Sequence, residues 1–329
     1  MIEQDTTRVR VVSAEEVERF GGSRLALGAA RTAARVVREP GSEVRRMNFR
    51  LPGGWMRILG AALPSIGVFG YKEFHYSPGG TLRYAIHLFS TEDGRPLGIV
   101  DAALITTLRT AAAATAAATA FYDGRTEPLT VGVIGSGAEA QAGLRALASA
   151  LPVAEARVSS RNEVNRQAFA DRMSAELGIP VIPVAEGAAA AVGADAAYLA
   201  TNSGGKVVAG LEILAGVPLV LSIGSTMPDQ RELHADVLAK ADVLVIDTPD
   251  VLEESGDALD ALGGGLDPAR ALLLGDYLGA APASGSTVYK SIGSPEQDIV
   301  LAWEIVSLLE DQQHPGRVID SLTDIKRNL

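Results

Sequence analysis

The 329-residue chain has no cysteine, which excludes disulfides, thiolate nucleophiles and cysteine-ligated metals. Histidine is nearly as scarce: His75, His87, His234 and His314 are scattered, with no His-x-x-x-His pair. No metal site is therefore expected, and each histidine reads as an ordinary surface or core residue. Basic charge is also short. Only 29 Lys and Arg face 40 Asp and Glu, a net charge of -11, which argues against nucleic acid and anionic membrane surfaces as partners. The opening residues MIEQDTTRVR contain no apolar leader segment. One stretch mimics a membrane span, Ala102 to Tyr122, but it is mostly alanine and threonine around Arg109. A central arginine is costly in lipid, so the stretch reads as a buried helix and the protein is expected to be cytoplasmic.

What is present is apolar mass: 47% hydrophobic residues, enough for a large core and two domains. Val12 to Val37 reads as a helix pair, because Ser13 and Glu16 stand in capping-box register before apolar residues at helical spacing. Strand character follows at 44–51, 55–59, 66–76, 82–90 and 96–100, separated by turns such as Pro52-Gly53-Gly54, which makes the first third α+β with antiparallel strands. From Thr130 the rhythm changes. Short apolar strands at 130–134, 156–159, 181–184, 196–200, 219–223 and 243–246 alternate with helical segments, the pattern of a doubly wound parallel sheet in an α/β domain. Gly263-Gly264-Gly265 reads as a loop and 298–310 as an amphipathic helix. Residues 1–112 and 113–304 are the expected domains, with 305–329 returning to the first.

Val131 to Gln141, VGVIGSGAEAQ, carries the most chemistry. A strand runs into Gly135-x-Gly137-x-x-Ala140 and a helix follows. The first glycine permits a tight turn, the second lets backbone approach a pyrophosphate, and a small third residue lets helix pack on strand. The helix N-terminus then holds the anion. The second strand ends Ser159-Ser160-Arg161-Asn162, with no acid until Glu163. An acid there would repel a 2′-phosphate, whereas Arg161 can pair with it, which favours NADP(H) over NAD(H); the alternative is that Arg161 is a solvated helix-start residue. The expected cofactor contacts are Gly135, Ser136, Gly137, Ala138, Glu139, Ser160, Arg161 and Asn162, together with Thr110, Thr201, Gly224 and Gly293.

Two cations stand in unusual surroundings. Arg109 lies in the uncharged stretch ALITTLRTAAAATAAATAF, where it needs either a structural carboxylate or an anionic ligand; Thr106, Thr107 and Thr110 could add hydrogen bonds. Lys72, in GVFGYKEFHY, is either a functional group or a charge at a strand edge.

Together these stretches resemble the ornithine cyclodeaminase/mu-crystallin family. The resemblance rests on GYK around Lys72, LRTAAAA from Arg109, the VGVIGSGAEAQ loop, GSTMPDQREL at 224–233, ADVLVID at 241–247 and TVYKSIG at 287–293. It implies a Rossmann-like cofactor domain, a mixed domain that binds substrate and forms a homodimer, and action on α-amino or α-imino acids with NAD(H) or NADP(H). It also implies that Arg46, Lys72 and Arg109 gather the substrate carboxylate, although Arg46 rests on spacing and Arg45 or Arg50 are alternatives. Lys72 assists the carboxylate or protonates the imine nitrogen. Trp55, Met56, Leu59 and Tyr84 are candidates to shape the pocket, and Thr81 and Thr226 to bond near the amine.

One departure stands out. Cyclodeaminases of this family carry an aspartate two residues before the proline of GSTMPDQREL, and that position is Thr226 here. A threonine hydroxyl is not a useful base near neutral pH, and the nearest acid, Asp229, lies past the proline. The sequence therefore points first to an NAD(P)H-dependent imine reductase or amino-acid dehydrogenase. Redox-neutral cyclodeamination of ornithine or lysine and non-catalytic binding of NADPH or a small ligand are the alternatives.

Overall fold

The computed structural model describes residues 6–80, 82–280, 285–312 and 317–323; Thr81 and His314 lie outside them. The first elements are β1 (Thr6–Val12), α1 (Ala14–Phe20), α2 (Ser23–Val36), β2 (Glu43–Leu51), β3 (Gly54–Leu63), β4 (Val68–Tyr76), β5 (Leu82–Ser90), β6 (Pro96–Asp101) and α3 (Ala103–Phe121). Then come β7 (Leu129–Ile134), α4 (Ala138–Ala150), β8 (Val153–Ser159), α5 (Glu163–Leu177), β9 (Val181–Val184), α6 (Gly187–Ala191), β10 (Ala196–Leu199), α7 (Leu211–Leu214), β11 (Leu219–Ser222), α8 (Ala235–Lys240) and β12 (Val243–Ile246). The chain closes with α9 (Val251–Glu254), α10 (Gly256–Gly263), β13 (Ala271–Leu273), α11 (Leu274–Leu278), β14 (Thr287–Lys290), α12 (Pro295–Asp311) and β15 (Arg317–Thr323). Two compact units result: one from the described residues up to Arg109 and from Ser294 onward, the other from those between Thr110 and Gly293.

In the first unit the expected helix pair follows β1. Ser13 accepts from the Glu16 N–H and Glu16 reaches back to the Ser13 N–H, so both orphan donors of α1 are satisfied. Its sheet runs β15-β1-β6-β5-β4-β3-β2. The step from β1 to β6 is parallel and the others are antiparallel. Side chains alternate across it: Leu59, Ala61, Leu63, Val68, Ile86, Leu88 and Val100 are buried on one face. α12 packs on that face against β3, β4 and β5, with α2 beside it. All of α12 belongs to this unit, although the sequence pattern placed the return near residue 304. The reason is that Glu296, Gln297 and Asp298 are buried polar residues, which mimic a solvated helix start.

The second unit is an eight-stranded, all-parallel sheet in the order β13-β12-β14-β11-β10-β7-β8-β9. The chain starts at β7, adds β8 and β9 on one side, then returns to place β10 on the other. That reversal is the switch point over which open α/β sheets bind ligands. β13 and β14 were not legible as strands. β13 has three residues, and β14 ends in a lysine. Among the described residues, no helix is long and apolar enough to cross a membrane.

Candidate active site

After β7 the chain turns through Gly135–Gly137 into α4. Gly135 takes φ +118°, and a Cβ there would lie 2.1 Å from the Ala200 carbonyl oxygen, so the position is closed to any side chain. At Gly137, the N-cap of α4, a Cβ would meet nothing within 4 Å, and no side chain caps the helix. The first glycine answers to the protein's own packing, whereas the second leaves open space before unsatisfied helix amides. That space suits a pyrophosphate. Ala140 is buried as the motif requires, and Gly143 one turn on is also closed to a side chain, since a Cβ there would meet the Tyr198 ring at 2.1 Å.

A cleft of about 810 Å³ opens beside this turn. Gly135, Ser136, Gly137, Ala138, Glu139, Ser160, Arg161, Asn162, Thr201 and Gly224 all line it. Two expected contacts do not. Thr110 is buried within α3, and the Gly293 N–H is taken by Asp247 Oδ2 at 2.8 Å. At the end of β8, Ser136 Oγ donates to Ser160 Oγ at 3.0 Å, and Asn162 caps α5 by accepting from the Asn165 N–H at 2.9 Å. Arg161 is exposed and donates to the Asn202 carbonyl at 3.2 Å. Lys206, which no sequence pattern marked, is a second exposed cation lining the cleft. Among the described lining residues, Glu139 is the single carboxylate.

The turn after β11 carries Thr226. Its N–H donates to Gln230 Oε1 at 2.9 Å and its hydroxyl to the same oxygen at 3.3 Å. Thr226 lines a smaller cavity of about 220 Å³ that shares Thr201, Asn202, Ser203, Ile223 and Gly224 with the cleft. With its proton directed to Gln230, the hydroxyl offers lone pairs: it is an acceptor, not a base. Asp229 is exposed and lines neither cavity.

In the first unit, Lys72 of β4 stands opposite Leu59 of β3 and Ile86 of β5, on the face covered by α12. Arg46 of β2 is next in that row, opposite Leu59. Arg45 points to the other face and pairs with Glu43 at 3.4 Å, and Arg50 is roughly 13 Å further along β2. Arg46 is thus the arginine of the three brought towards Lys72. Lys72 Nζ lies 2.7 Å from Asp298 Oδ2, and Arg109 Nε donates to Asp298 Oδ1 at 3.2 Å. Arg109 Nη1 also donates to Gln297 Oε1 at 3.3 Å. Lys72 further reaches Thr106 Oγ1 at 3.4 Å and sits 5.1 Å above the Phe74 ring. A structural carboxylate therefore answers the charge of Arg109, and the same carboxylate serves Lys72.

Asp298 and Gln297 were missed because an acid in the first turn of a helix normally reads as a solvated partner of the helix dipole. Here Asp298 is 0% exposed and Lys72 1%. Burial pulls the Lys72 ammonium down from 10.5 to about 8; Asp298 opposes the fall, and Arg109 and Arg46 reinforce it. Trp55 and Tyr84 flank Phe74 on this face, each with ring centroids 5.5 Å away, while Leu59 is ordinary core. Met56 pairs with His75 on the opposite face, so the strand alternation removes it from this neighbourhood.

A sequence model of the ornithine cyclodeaminase/mu-crystallin family matches residues 73–313. The ketimine reductase mu-crystallin of Rattus norvegicus is 30% identical over 222 residues, 66% of this chain and 67% of its own. The Δ1-pyrroline-2-carboxylate reductase of Bacillus cereus is 26% identical over 230 residues, 68% of this chain and 70% of its own. Among solved structures, Thermococcus litoralis Δ1-pyrroline-2-carboxylate reductase in complex with NADH and L-proline superposes with a TM-score of 0.84. It covers 95% of this chain and 100% of its own at 22% identity, a likeness of fold.

Proposed function

The chain belongs to the ornithine cyclodeaminase/mu-crystallin family, and from that premise we propose that it is an NAD(P)H-dependent reductase of carboxylate-bearing imines, or in reverse an amino-acid dehydrogenase. One observation carries the reading: the buried Lys72 and Arg109 meet at Asp298, and Arg46 stands in the strand row of Lys72. A lysine and two arginines gathered on one face suit an incoming α-carboxylate. Arg46 and Arg109 bind it and so orient the neighbouring carbon. Lys72, largely protonated at neutral pH, donates its Nζ proton to the imine nitrogen, and Asp298 holds that ammonium charged and in place.

The dinucleotide supplies the hydride when bound. Gly135–Glu139 would hold its pyrophosphate, and Ser160, Arg161 and Asn162 its adenosine ribose. We favour NADP(H) because β8 leads into Ser160 and Arg161 without an acid, and because Arg161 and Lys206 both line the cleft. Thr226 offers an acceptor where cyclodeamination needs an acid–base group, which favours net reduction.

The first unit is taken as the substrate and dimerisation domain, with a second copy of the chain as partner. Supporting this is the outer face of its sheet, where Met47, Phe49, Leu51 and Phe69 are exposed and Phe69–Phe89 and Tyr71–His87 stack.

The test is NADPH consumption, compared with NADH, across cyclic imine carboxylates and 2-oxo acids supplied with amines. Net oxidation, faster with NADPH and abolished in Arg109→Ala with cofactor binding retained, is the expected result. Ammonia release from ornithine without net cofactor change would replace reduction by cyclodeamination. Cofactor binding with no turnover across the panel would leave a binding protein.

A further inference from the structure

Beneath the cleft of the second unit lie three buried charges that the proposed chemistry does not use: Glu232, Asp257 and Lys290, each 0% exposed. Glu232 Oε1 accepts from the Thr201 N–H at 2.7 Å and the Thr201 hydroxyl at 2.8 Å. Its Oε2 accepts from the Ser222 hydroxyl at 2.6 Å and the Gly224 N–H at 2.9 Å. Lys290 Nζ donates to the Gly224 carbonyl and to Ser222 Oγ at 3.0 Å, and pairs with Asp257 Oδ2 at 3.1 Å. Asp257 Oδ1 in turn accepts from the Glu232 N–H at 2.8 Å. Gly224 is therefore gripped at both ends of its backbone by buried charges of opposite sign.

We propose that Glu232 is a positioning residue for the nicotinamide half of the dinucleotide, fixing through Thr201 and Gly224 the ends of β10 and β11 that wall that half of the cleft. Three observations support the assignment. First, all four hydrogen bonds to the carboxylate come from Thr201, Ser222 and Gly224; Thr201 and Gly224 line the cleft, and Ser222 is the last residue of β11. Second, sheet order places the adenosine side at β8, so the other half of a dinucleotide crossing the switch point lies over β10 and β11. Third, the turn beyond Gly224 is strained and over-determined. Ser225 holds φ 55° without being glycine, its hydroxyl donates to the Gln230 carbonyl at 2.9 Å, and it accepts from the Asp257 N–H at 3.3 Å. A network serving stability alone has little reason to be ionic, since buried ion pairs rarely outperform apolar packing. One that holds backbone walls to sub-ångström tolerance does, because reactive geometry is that sensitive.

The inference rests on the cleft taking a nicotinamide dinucleotide, and Glu232→Gln tests it. Binding of NADPH and of its adenosine fragment 2′,5′-ADP is measured by calorimetry, with bound-NADPH fluorescence and turnover alongside. The expected result is a Kd for NADPH raised about tenfold, altered nicotinamide fluorescence and a loss in kcat, with the Kd for 2′,5′-ADP kept within about twofold. Should Glu232→Gln fail to fold, Ser222→Ala removes the hydroxyl's bonds to Glu232 and Lys290 while leaving the residues that line the cleft unchanged, and is expected to shift NADPH but not 2′,5′-ADP. Equal weakening of both ligands, or of neither, overturns the positioning role. Failure of the wild type to bind NADPH or NADH would instead overturn the dinucleotide reading itself.

Discussion

At the scale of the residue, one carboxylate governs two cations. Asp298 sits 2.7 Å from Lys72 and 3.2 Å from Arg109, with both partners buried. Lys72 titrates near 8 in the folded protein against 10.5 when unfolded. Between those values the unfolded chain holds a proton that the folded chain has released. This group's contribution to stability is therefore a penalty below pH 8 that is relieved as pH rises to 10.5. Activity runs the other way: kcat/KM for imine reduction is expected to fall above about pH 8 as the donor loses its proton. Asp298→Asn removes the charge that keeps Lys72 protonated, so the alkaline limb should move towards neutrality. Losing one partner of a buried pair should also destabilise the fold by about 3–5 kcal/mol. An unmoved limb in a pH–rate profile of Asp298→Asn would separate Lys72 from the proton step.

At the scale of the element, α4 shows how a motif and its packing divide their work. Helix propensity alone would make Gly143→Ala stabilising by about 1 kcal/mol. The Tyr198 ring, wholly buried and 2.1 Å from the new Cβ, reverses that sign, because overpacking of this kind costs about 1–3 kcal/mol or more. A net loss in thermal or denaturant stability is expected, and a gain would mean that α4 stands further from β10. The glycine loop was legible because each of its residues answers to a local rule. So were β5, β9 and β12, whose apolar or alternating patterns are bounded by turns. β14 was not legible, since it lies between β11 and β12 while arriving late in the chain, and its lysine is buried only because Asp257 and Ser222 await it. The start of α12 was hidden for the same reason: Gln297 and Asp298 are met by Arg109 and Lys72, far away in sequence.

At the scale of the whole molecule, the outer face of the first unit's sheet bears on assembly. Met47, Phe49 and Leu51 are exposed along β2 on that face, and Phe69 is exposed on β4, and exposed apolar side chains grouped on one sheet face suit a partner surface. For the proposed homodimer, Phe49→Asp is expected to shift the protein towards monomer in sedimentation or light-scattering measurements with little change in the circular dichroism of the chain. A wild type that is already monomeric would remove the homodimer. The sequence by itself determined the α/β class, the switch from antiparallel to parallel strands near residue 130, the dinucleotide loop and the family, because hydrophobic period and turn chemistry are local. It also supplied Lys72 and Arg109 as residues too costly to leave unpartnered. Only the tertiary structure decided that Asp298 serves both of them, that Arg46 and not Arg45 or Arg50 stands in the row of Lys72, and that Glu232 and Lys290 grip Gly224. Those outcomes depend on strand register and on contacts between residues far apart in the chain, and no local pattern encodes which buried charge will meet which.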